Sequence, residues 1–395
     1  MSTVGVIFGS RSVEHEVSVI TAHQAMAALS PSHRAVPVYI AKDGRWFSGD
    51  ALTQLSRFAD VRTLLAECIA VTPVIDPSRS ALGLLPVDAP RRGLFSRGVD
   101  AVDIDVAMPL VHGSFGEDGT LQGLLEMAAI PYTGSGVTAS ALAMDKRLAK
   151  TVLRAAGLPV LDDIVIDREA WRAGGEDSVR AAESLAPYPL YVKPVSLGSS
   201  IGVSRADGVD ELRAAIEVAL TYDRRCIIEP AQEGIVEINC AVLGDHTGAR
   251  VSLLEQPTKQ GLLSYDDKYR GGSKSPAAKS AGMKSAQRII PAPIDDALAT
   301  RIRDAALAAF AAVDASGVAR IDFMVDSVSQ AFVVNELNPI PGSLSFYLFE
   351  PAGISFTALL DELIDIARRR HARHRDSTMV FDRWMLGGGG NKTSR

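Results

Sequence analysis

The sequence predicts an α/β protein with a parallel sheet in its N-terminal part, and two similar segments support this prediction. In the first, an apolar run at residues 4–8, a helical pattern over 14–29 and a second apolar run at 35–40 form a βαβ unit. In the second, an apolar run at 106–111 leads through the loop HGSFGEDGT into a helical pattern at 121–129. Ligands bind at the carboxyl ends of parallel strands, so both loops are candidate parts of a functional site.

Composition and charge restrict the class of protein. With 47% hydrophobic and 22% charged residues, the chain resembles a folded globular protein. A net charge of -6 provides no general basic field, so nucleic acid is not an expected partner. No apolar run approaches the roughly 18 to 20 residues that span a bilayer, and no secretory leader precedes the first strand. Because the three cysteines are also scattered, as is typical of free thiols, we expect a cytoplasmic protein without a membrane partner.

The length of 395 residues predicts two to three domains. The glycine-rich TGSG segment precedes a long helical region at 138–156, so the first domain is expected over 1–134. Within it, residues 50–100 are rich in Pro, Ser and Arg and suggest an elaborated connection. A small α/β domain is predicted over 135–228, with strand-like runs at 189–195 and 226–229 and a helix at 209–219.

The remaining sequence predicts a third domain over 229–378 and a flexible tail. An amphipathic helix at 356–369 ends this domain, and the glycine-rich tail occupies 379–395. Residues 258–288 are basic and contain little apolar sequence, which is typical of a lid that closes over a triphosphate. A basic surface loop is the alternative for this segment.

The segment from Val318 to Gly342 carries the most chemical information. Two strand-like runs place Arg320 and Asp322 on one strand and Glu336 and Asn338 on the next, with a turn signal between them. Side chains two positions apart on a strand share a face, so these oxygen ligands would converge beside a fixed cation. Such a set suits Mg²⁺ that bridges phosphate oxygens. The alternative is a polar strand end that faces water.

A second candidate site follows the strand that ends at Lys193. The lysine precedes the loop SLGSSIG, whose small residues and hydroxyls would let backbone N–H groups approach a phosphate. A surface turn with an exposed lysine is the alternative. Downstream, the strand that ends near Glu229 runs into a linker whose backbone could contact adenine, and Glu237 could accept hydrogen bonds from ribose or could face solvent.

Two acidic residues at the start of the first helix, Glu14 and Glu16, are typical of helix caps. Only a wider context would assign either one to a substrate. His15 and His112 have no serine or cysteine arrangement near them in sequence, so no hydrolase triad is predicted.

Taken in order, these segments resemble the D-alanine–D-alanine ligase family of the ATP-grasp superfamily. The resemblance covers nearly the whole chain and is carried by five motifs: GSRSVEHEVS, HGSFGEDGTLQGLLEMAAIPYTGSGVTASALAMDK, YVKPVSLGSSIGV, YDDKY, and RIDF with NELNPIPG. It implies a three-domain ATP-grasp fold, α/β overall and α+β in the ATP-binding part. It also implies amino-acid substrates, an acyl-phosphate intermediate, a role in peptidoglycan synthesis and a homodimer.

The resemblance assigns roles to individual residues of this chain. The residues implied for ATP are Lys146, Lys193, Ser200 and Lys268 at the phosphates, Glu229, Pro230, Ala231 and Gln232 at adenine, and Glu237 at ribose. Two Mg²⁺ ions, or Mn²⁺ as a substitute, would be held by Asp322, Glu336 and Asn338. The residues implied for the substrates and the reaction are Glu14, His112, Ser199, Tyr269, Arg320, Gly342, Ser345 and Tyr347. Glu14 would bind the ammonium of the first substrate and connect through Ser199 to Tyr269, while Arg320 and the Gly342 backbone would stabilise the oxyanion.

The chain departs from the family pattern at several positions. Leu197 and Asn239 stand where the family usually carries Glu. After Gly342 the sequence is shorter and more apolar, Tyr347 falls near an expected serine, and Ser345 is the nearest hydroxyl. These changes predict a bulkier and more apolar acceptor pocket. A paralogue that uses D-serine, D-lactate or another acceptor therefore remains an alternative, as does a catalytically silent ATP-binding regulator.

Overall fold

The structure is a computed structural model that describes residues 1–87, 102–258 and 288–378. Three β-sheets follow one another along the chain, with seven, four and five strands. The predicted tail and nearly all of the predicted lid, with Lys268 and Tyr269, lie outside the described residues. The domain boundaries stay a prediction.

The N-terminal sheet confirms the predicted βαβ unit. Strands β1 (Ser2–Gly9) and β2 (His33–Ile40) are parallel and are joined by helix α1 (His15–Ala28). Strand β7 (Val106–Pro109) pairs in parallel with the other edge of β1 and leads to helix α3 (Thr120–Met127). Both predicted ligand loops therefore leave the carboxyl ends of neighbouring strands.

Residues 50–100, predicted as an elaborated connection, contain regular secondary structure in the described part of that segment. It contains helix α2 (Val61–Ala66) and two strands, β4 (Ile69–Val74) and β5 (Leu82–Pro86). With β3 (Trp46–Ser48) and β6 (Val102–Ile104), they extend the sheet in antiparallel order. The sequence signal was weak because these strands are short, and β4 contains a proline and only one buried residue.

The middle sheet is antiparallel and has the order β10-β9-β11-β8. Its strands are β8 (Ile164–Asp167), β9 (Leu190–Pro194), β10 (Ser204–Ala206) and β11 (Arg225–Pro230). Its helices are α6 (Arg168–Gly174), α7 (Glu176–Leu185) and α8 (Val209–Tyr222). The predicted strands at 189–195 and 226–229 and the helix at 209–219 are confirmed, whereas β8, β10, α6 and α7 were not predicted.

The predicted long helix at 138–156 is two helices. Helix α4 (Val137–Met144) ends before Asp145, and α5 (Lys146–Ala155) begins after it. The Asp145 side chain accepts a hydrogen bond from the Leu148 N–H at 3.0 Å and so caps α5. The break has no glycine or proline signal, which is why the apolar pattern alone predicts one helix.

The third sheet contains the predicted hairpin. Its order is β14-β13-β12-β15-β16, and its strands are β12 (Ile235–Asp245), β13 (Gly248–Pro257), β14 (Arg288–Ile289), β15 (Gly317–Asp326) and β16 (Phe332–Asn338). Its helices are α9 (Asp296–Ala312), α10 (Phe346–Phe349) and α11 (Phe356–Arg375). Helix α11 extends six residues beyond the predicted end, through a basic last turn that favours a helix C-terminus.

One hydrophobic core joins the N-terminal sheet to the C-terminal part of the chain. It includes Phe8 and Met108 from the N-terminal sheet, Leu344 and Phe349 from the segment after Gly342, and Leu360 from α11. Among the described residues, no single helix has the length and apolarity of a membrane span, although Gly342–Ala352 and Phe356–Arg375, bent by 115°, pass that test as a pair.

Gly9 lies where the first ligand loop leaves β1, and its backbone excludes a side chain. Its φ is +95°, and a Cβ there would lie 2.3 Å from the Ile40 carbonyl oxygen. We expect Gly9→Ala to cost at least about 2 kcal/mol, because left-handed backbone strain and a backbone clash act together. The melting temperature should then fall by at least about 2 °C.

Gly123→Ala is a matched control for this substitution. Gly123 lies inside α3, and a Cβ there would meet no atom within 4 Å, so alanine should stabilise the helix slightly. Equal melting temperatures for the two variants would contradict the assigned backbone conformation at Gly9.

Candidate active site

The hairpin β15–β16 brings the four predicted side chains together, as the sequence predicts. Arg320 lies opposite Asn338, and Asp322 lies opposite Glu336. The Arg320 guanidinium donates to both Asp322 oxygens at 2.6 and 2.7 Å, and the Asn338 amide donates to Asp322 at 3.1 Å. Burial opposes the Arg320 charge, but the Asp322 carboxylate prevails and raises the Arg320 pKa well above its usual value. Arg320 is therefore a permanent, fixed cation, and the alternative of a strand end in water is wrong.

Two residues of β12 adjoin this hairpin. With its amide nitrogen turned toward them, Asn239 donates to Asp322 at 3.2 Å and to Glu237 at 3.3 Å. Asn239 is buried, and it lies beside Asp322 in the sheet. The Asn239 amide thus links Glu237, the residue predicted to bind ribose, to Asp322, a residue predicted to bind the metal.

Lys146 connects the hairpin to the loop after β9. It is the first residue of α5, and its Nζ donates to the Leu197 carbonyl oxygen at 2.6 Å. The same Nζ lies 3.5 Å from Glu336 Oε1. The candidate phosphate loop and the candidate metal ligands are therefore adjacent in space, although about 140 residues of sequence separate them.

Lys193 belongs to a buried cluster that the sequence analysis only partly anticipated. Its side chain is 14% exposed, and its Nζ lies 2.5 Å from Glu229 Oε2. The other Glu229 oxygen forms an ion pair with Lys150, which lies on α5 and was not predicted. The alternative of an exposed surface lysine is therefore wrong.

The charges in this cluster set the protonation of Glu229. Burial opposes its ionisation, but Lys193 and Lys150 outweigh burial and lower the Glu229 pKa to about 2. The Lys193 pKa is raised because the Glu229 charge outweighs burial, whereas burial lowers the Lys150 pKa. Glu229 and Pro230 lie within β11, so the extended linker begins at Ala231 and not at Glu229.

Glu14 contacts a loop that is far from it in sequence. Its carboxylate accepts a hydrogen bond from the Ser199 hydroxyl. Glycines permit this approach, because a Cβ at Gly113 would lie 2.6 Å from Glu14 Oε2 and a Cβ at Gly198 would lie 3.1 Å from each carboxylate oxygen. Although Glu14 occupies the N-cap of α1, its side chain makes no capping hydrogen bond. The cap interpretation of Glu14 is therefore wrong.

Two residues of the HGSFGEDGT loop hold the turn after β16. Buried Glu117, which was not predicted, accepts hydrogen bonds from the Gly113 N–H at 2.7 Å and the Ile340 N–H at 3.1 Å. His112 interacts with the Ile340 backbone and with Thr21 Oγ1, 3.0 Å from its Nε2. Burial lowers the His112 pKa to about 4, so its imidazole is neutral at pH 7.

The segment after Gly342 is buried, and the predicted apolar acceptor pocket stays a prediction. Phe346, Leu348 and Phe349 pack in the core that joins the N-terminal sheet to α11, so most of the apolar residues face the interior. Tyr347 is 5% exposed and lies near Arg320, whose charge acts on its hydroxyl, while Ser345 is fully buried. Ser200 lies with Ser199 on a left-handed turn of the phosphate loop.

Comparison with known proteins is consistent with this arrangement. Two family models match the chain, "D-ala D-ala ligase N-terminus" over residues 3–135 and "D-ala D-ala ligase C-terminus" over residues 152–365. A D-alanine–D-alanine ligase of Chloroherpeton thalassium is 37% identical over 380 residues, which cover 94% of this chain and 98% of that protein.

Two solved structures are similar over nearly their whole length. The D-alanine–D-alanine ligase of Coxiella burnetii is 30% identical, with a TM-score of 0.75 and coverage of 95% of this chain and 98% of that one. The VanG D-Ala:D-Ser ligase of Enterococcus faecalis is 29% identical, with a TM-score of 0.74 and coverage of 93% and 99%.

The fold and these matches define the class first. The mixed α/β chain, with its parallel-containing N-terminal sheet, has the ATP-grasp fold of this group of ligases. Within that class, the chain belongs to the D-alanine–D-alanine ligase family.

The Glu229 cluster predicts a dependence of stability on pH. The Glu229 pKa is lower in the folded chain than its unfolded value of roughly 4.3, so its stabilising effect is complete above the unfolded value. The effect is lost as pH falls toward about 2. Glu229→Gln should be strongly destabilised at pH 7 because two buried lysines lose their partner.

The measurement is the difference in melting temperature between the native chain and Glu229→Gln from pH 7 to pH 3. We expect a constant difference above about pH 5 and a smaller one below it. If the melting temperatures of the two proteins differed by the same amount from pH 7 to pH 3, Glu229 would not be the source of the pH dependence of stability. Glu176→Gln, at an exposed ion pair, is the control and should change little at any pH.

Proposed function

We propose that the chain is an ATP-dependent ligase that forms D-alanyl-D-alanine for peptidoglycan synthesis. The observation that carries the proposal is the position of Lys146. Its side chain contacts both the loop after β9, at Leu197, and Glu336 of the hairpin β15–β16. This contact supports one site for the ATP phosphates and their metal. Glu14 and His112, from the N-terminal sheet, adjoin the same site through Ser199 and Ile340.

The donor atoms at the hairpin suit a hard divalent cation. Asp322, Glu336 and Asn338 supply carboxylate and amide oxygens, which Mg²⁺ prefers and Mn²⁺ accepts. Among the described residues, no group of three or more His, Cys, Asp or Glu side chains is placed to hold a metal. We propose that Asp322, Glu336 and Asn338 would hold two Mg²⁺ ions, which would supply positive charge beside the ATP phosphates.

The chain's own residues provide binding and electrostatic stabilisation. Lys146, Lys193 and Ser200 orient the phosphates, and the segment from Ala231 to Gln232 contacts adenine. A carboxylate oxygen of the first D-alanine bonds to the γ-phosphorus as the bond to ADP breaks. The neutral amine of the second D-alanine then bonds to the carbonyl carbon, the bond to the phosphate oxygen breaks, and inorganic phosphate and the proton of the amine leave. Arg320 and the Gly342 N–H stabilise the oxyanion that forms in this second step.

In this proposal, Glu14 binds the ammonium group of the first D-alanine. The Ser199 hydroxyl holds the Glu14 carboxylate in place by a hydrogen bond. His112 remains neutral and positions the turn at Ile340. Tyr269 and Lys268 would complete the site from outside the described residues.

We further propose the domains 1–134, 135–228 and 229–378, a cytoplasmic location and a homodimer, which follow from the resemblance to the family.

The test is to incubate the purified protein with ATP, Mg²⁺ and D-alanine and to measure ADP release and product mass. Equal amounts of ADP and D-alanyl-D-alanine would support the proposal. ADP release only after D-serine, D-lactate or another acceptor is added would support ligase chemistry with a different second substrate. No ADP release with any substrate would favour a silent ATP-binding regulator.

Asp322→Asn tests the role of the hairpin in this reaction. The substitution keeps the side-chain shape but removes the charge that holds Arg320 and that would bind the metal. We expect kcat to fall by about 100-fold or more, because both contributions act on charge that develops during the reaction. Asp326→Asn is the control, since Asp326 ends the same strand and its side chain accepts hydrogen bonds from residues of the turn. Equal kcat values for the two variants would contradict the role of Asp322.

A further inference from the structure

Helix α5 directs two lysines into the candidate site from one face. Lys146 and Lys150 are four positions apart, so their side chains are neighbours on the same face of the helix. Lys146 contacts the loop after β9, whereas Lys150 forms an ion pair with Glu229 near the end of β11. None of the five motifs that carry the family resemblance includes Lys150. The proposed function so far gives this buried lysine no role.

Two lysines hold the Glu229 carboxylate from its two oxygens. Oε1 forms the ion pair with Lys150, and Oε2 lies 2.5 Å from Lys193 Nζ. The side chains of Lys150 and Glu229 are only 4% and 3% exposed, so solvent ions screen these charges weakly. Two positive charges therefore share one negative charge. One of the lysines can move to another anion while the other keeps the carboxylate paired.

Lys150 is held more firmly than Lys193. Its Nζ also donates to the Leu161 carbonyl oxygen at 3.2 Å, so two parts of the chain fix its position. Within the described residues, the Lys193 ammonium group donates to Glu229. An ammonium group has three donors, so Lys193 keeps donors for a ligand. Lys193 is therefore the lysine that can change its partner.

Lys193 also lies toward the phosphate side of the site. It belongs to β9, the strand that leads directly into the candidate phosphate loop. Burial opposes its charge, but the carboxylates of Glu229 and Glu336 outweigh burial and raise its pKa. The charges that act on Lys150 are instead those of Glu229, Lys193 and Asp163. Of the two lysines, Lys193 thus responds to the hairpin that carries the proposed metal ligands.

We propose that Lys150 is a positioning residue for ATP: it stays paired with Glu229 and so allows Lys193 to leave this carboxylate and bind the ATP phosphates. Without Lys150, the departure of Lys193 would leave a buried carboxylate with no cation, which is strongly unfavourable. Lys193 would then stay with Glu229, and the phosphates would lose a charged contact. This inference rests on the proposed function, because it takes Lys193 as a ligand of the phosphates.

A purely structural role of Lys150 has different consequences. Loss of a structural cation would loosen the site as a whole and weaken the binding of nucleotides and nucleosides alike. The proposed role concerns only ligands that carry phosphates, since adenosine does not require Lys193 to leave Glu229. It also implies that removal of the Glu229 charge compensates for loss of Lys150, because Lys193 is then no longer held.

The experiment measures the dissociation constants of Mg-ATP and of adenosine by titration calorimetry. The proteins are the native chain, Lys150→Met, Lys150→Arg and the double variant Lys150→Met/Glu229→Gln, at a temperature where melting curves show each one folded. Arg154→Met is the matched control. Arg154 also lies on α5 and donates to the Leu161 carbonyl oxygen at 3.2 Å, but it pairs with Asp162 and Asp163 and is 44% exposed.

Lys150→Met should weaken Mg-ATP binding by about tenfold or more, as expected for loss of one hydrogen bond between charged groups. Its affinity for adenosine should change little. Lys150→Arg keeps the charge and should retain most of the affinity for Mg-ATP. The double variant should regain the preference for Mg-ATP over adenosine. In the ligase assay, Lys150→Met should raise the KM for ATP and leave the KM for D-alanine unchanged, and Arg154→Met should resemble the native chain throughout.

Three outcomes would overturn the inference. In Lys150→Met, they are an unchanged affinity for Mg-ATP, or equal losses of affinity for Mg-ATP and adenosine. The third is a double variant whose preference for Mg-ATP over adenosine is as low as that of Lys150→Met. If the double variant does not fold, the comparison of the two ligands in Lys150→Met decides alone.

Failure of the proposed function has a separate signature. A native chain that binds Mg-ATP but forms no product with any acceptor would not be a ligase, while the binding constants would still decide the role of Lys150. A native chain that does not bind Mg-ATP would contradict both the proposed function and this inference.

Discussion

The candidate site depends on one buried carboxyl group, that of Glu117, which connects a loop of the N-terminal part of the chain to a turn of the C-terminal part. Glu117 accepts backbone hydrogen bonds from Gly113, in the loop after β7, and from Ile340, in the turn after β16. Burial, together with the nearby charge of Glu14, raises the Glu117 pKa well above its usual value. The two backbone N–H groups donate to different oxygens of this carboxyl group, which reduces the cost of its burial. This contact fixes the position of Gly342 relative to Glu14, and the proposed binding of both substrates requires that geometry.

A second constraint is that each buried cation of the site has a carboxylate of the same chain beside it. Lys193 is paired with Glu229, Arg320 with Asp322 and Arg288 with Glu255. The carboxylates keep the cations charged and in place, because an unpaired buried charge is strongly unfavourable. In the proposed reaction, the ATP phosphates would compete for these cations, and metal ions would compete for the carboxylates. Binding is therefore an exchange of ion pairs, and its net free energy is smaller than the number of charges suggests.

The sequence predicted the features that depend on local periodicity and failed where distant residues decide. The hairpin was predictable because Arg320 and Asp322, and then Glu336 and Asn338, have the spacing of one strand face. The contact between Ser199 and Glu14 joins residues 185 positions apart, and only the family resemblance pointed to it. Glu117 was missed although it lies in a quoted motif, since its main partner is 223 positions away and an acidic loop residue is usually solvated.

The same limit applies to the segment after Gly342. The apolar run after Gly342 predicts an apolar pocket, but the ring of Phe346 stacks on Phe356 of α11 with a centroid distance of 4.3 Å. This packing, with Leu348 and Phe349 fully buried, stabilises the segment by several kcal/mol and offsets the strain of the left-handed turn at residues 343–345. The apolar residues thus anchor the turn, and Tyr347 is left to contact Arg288.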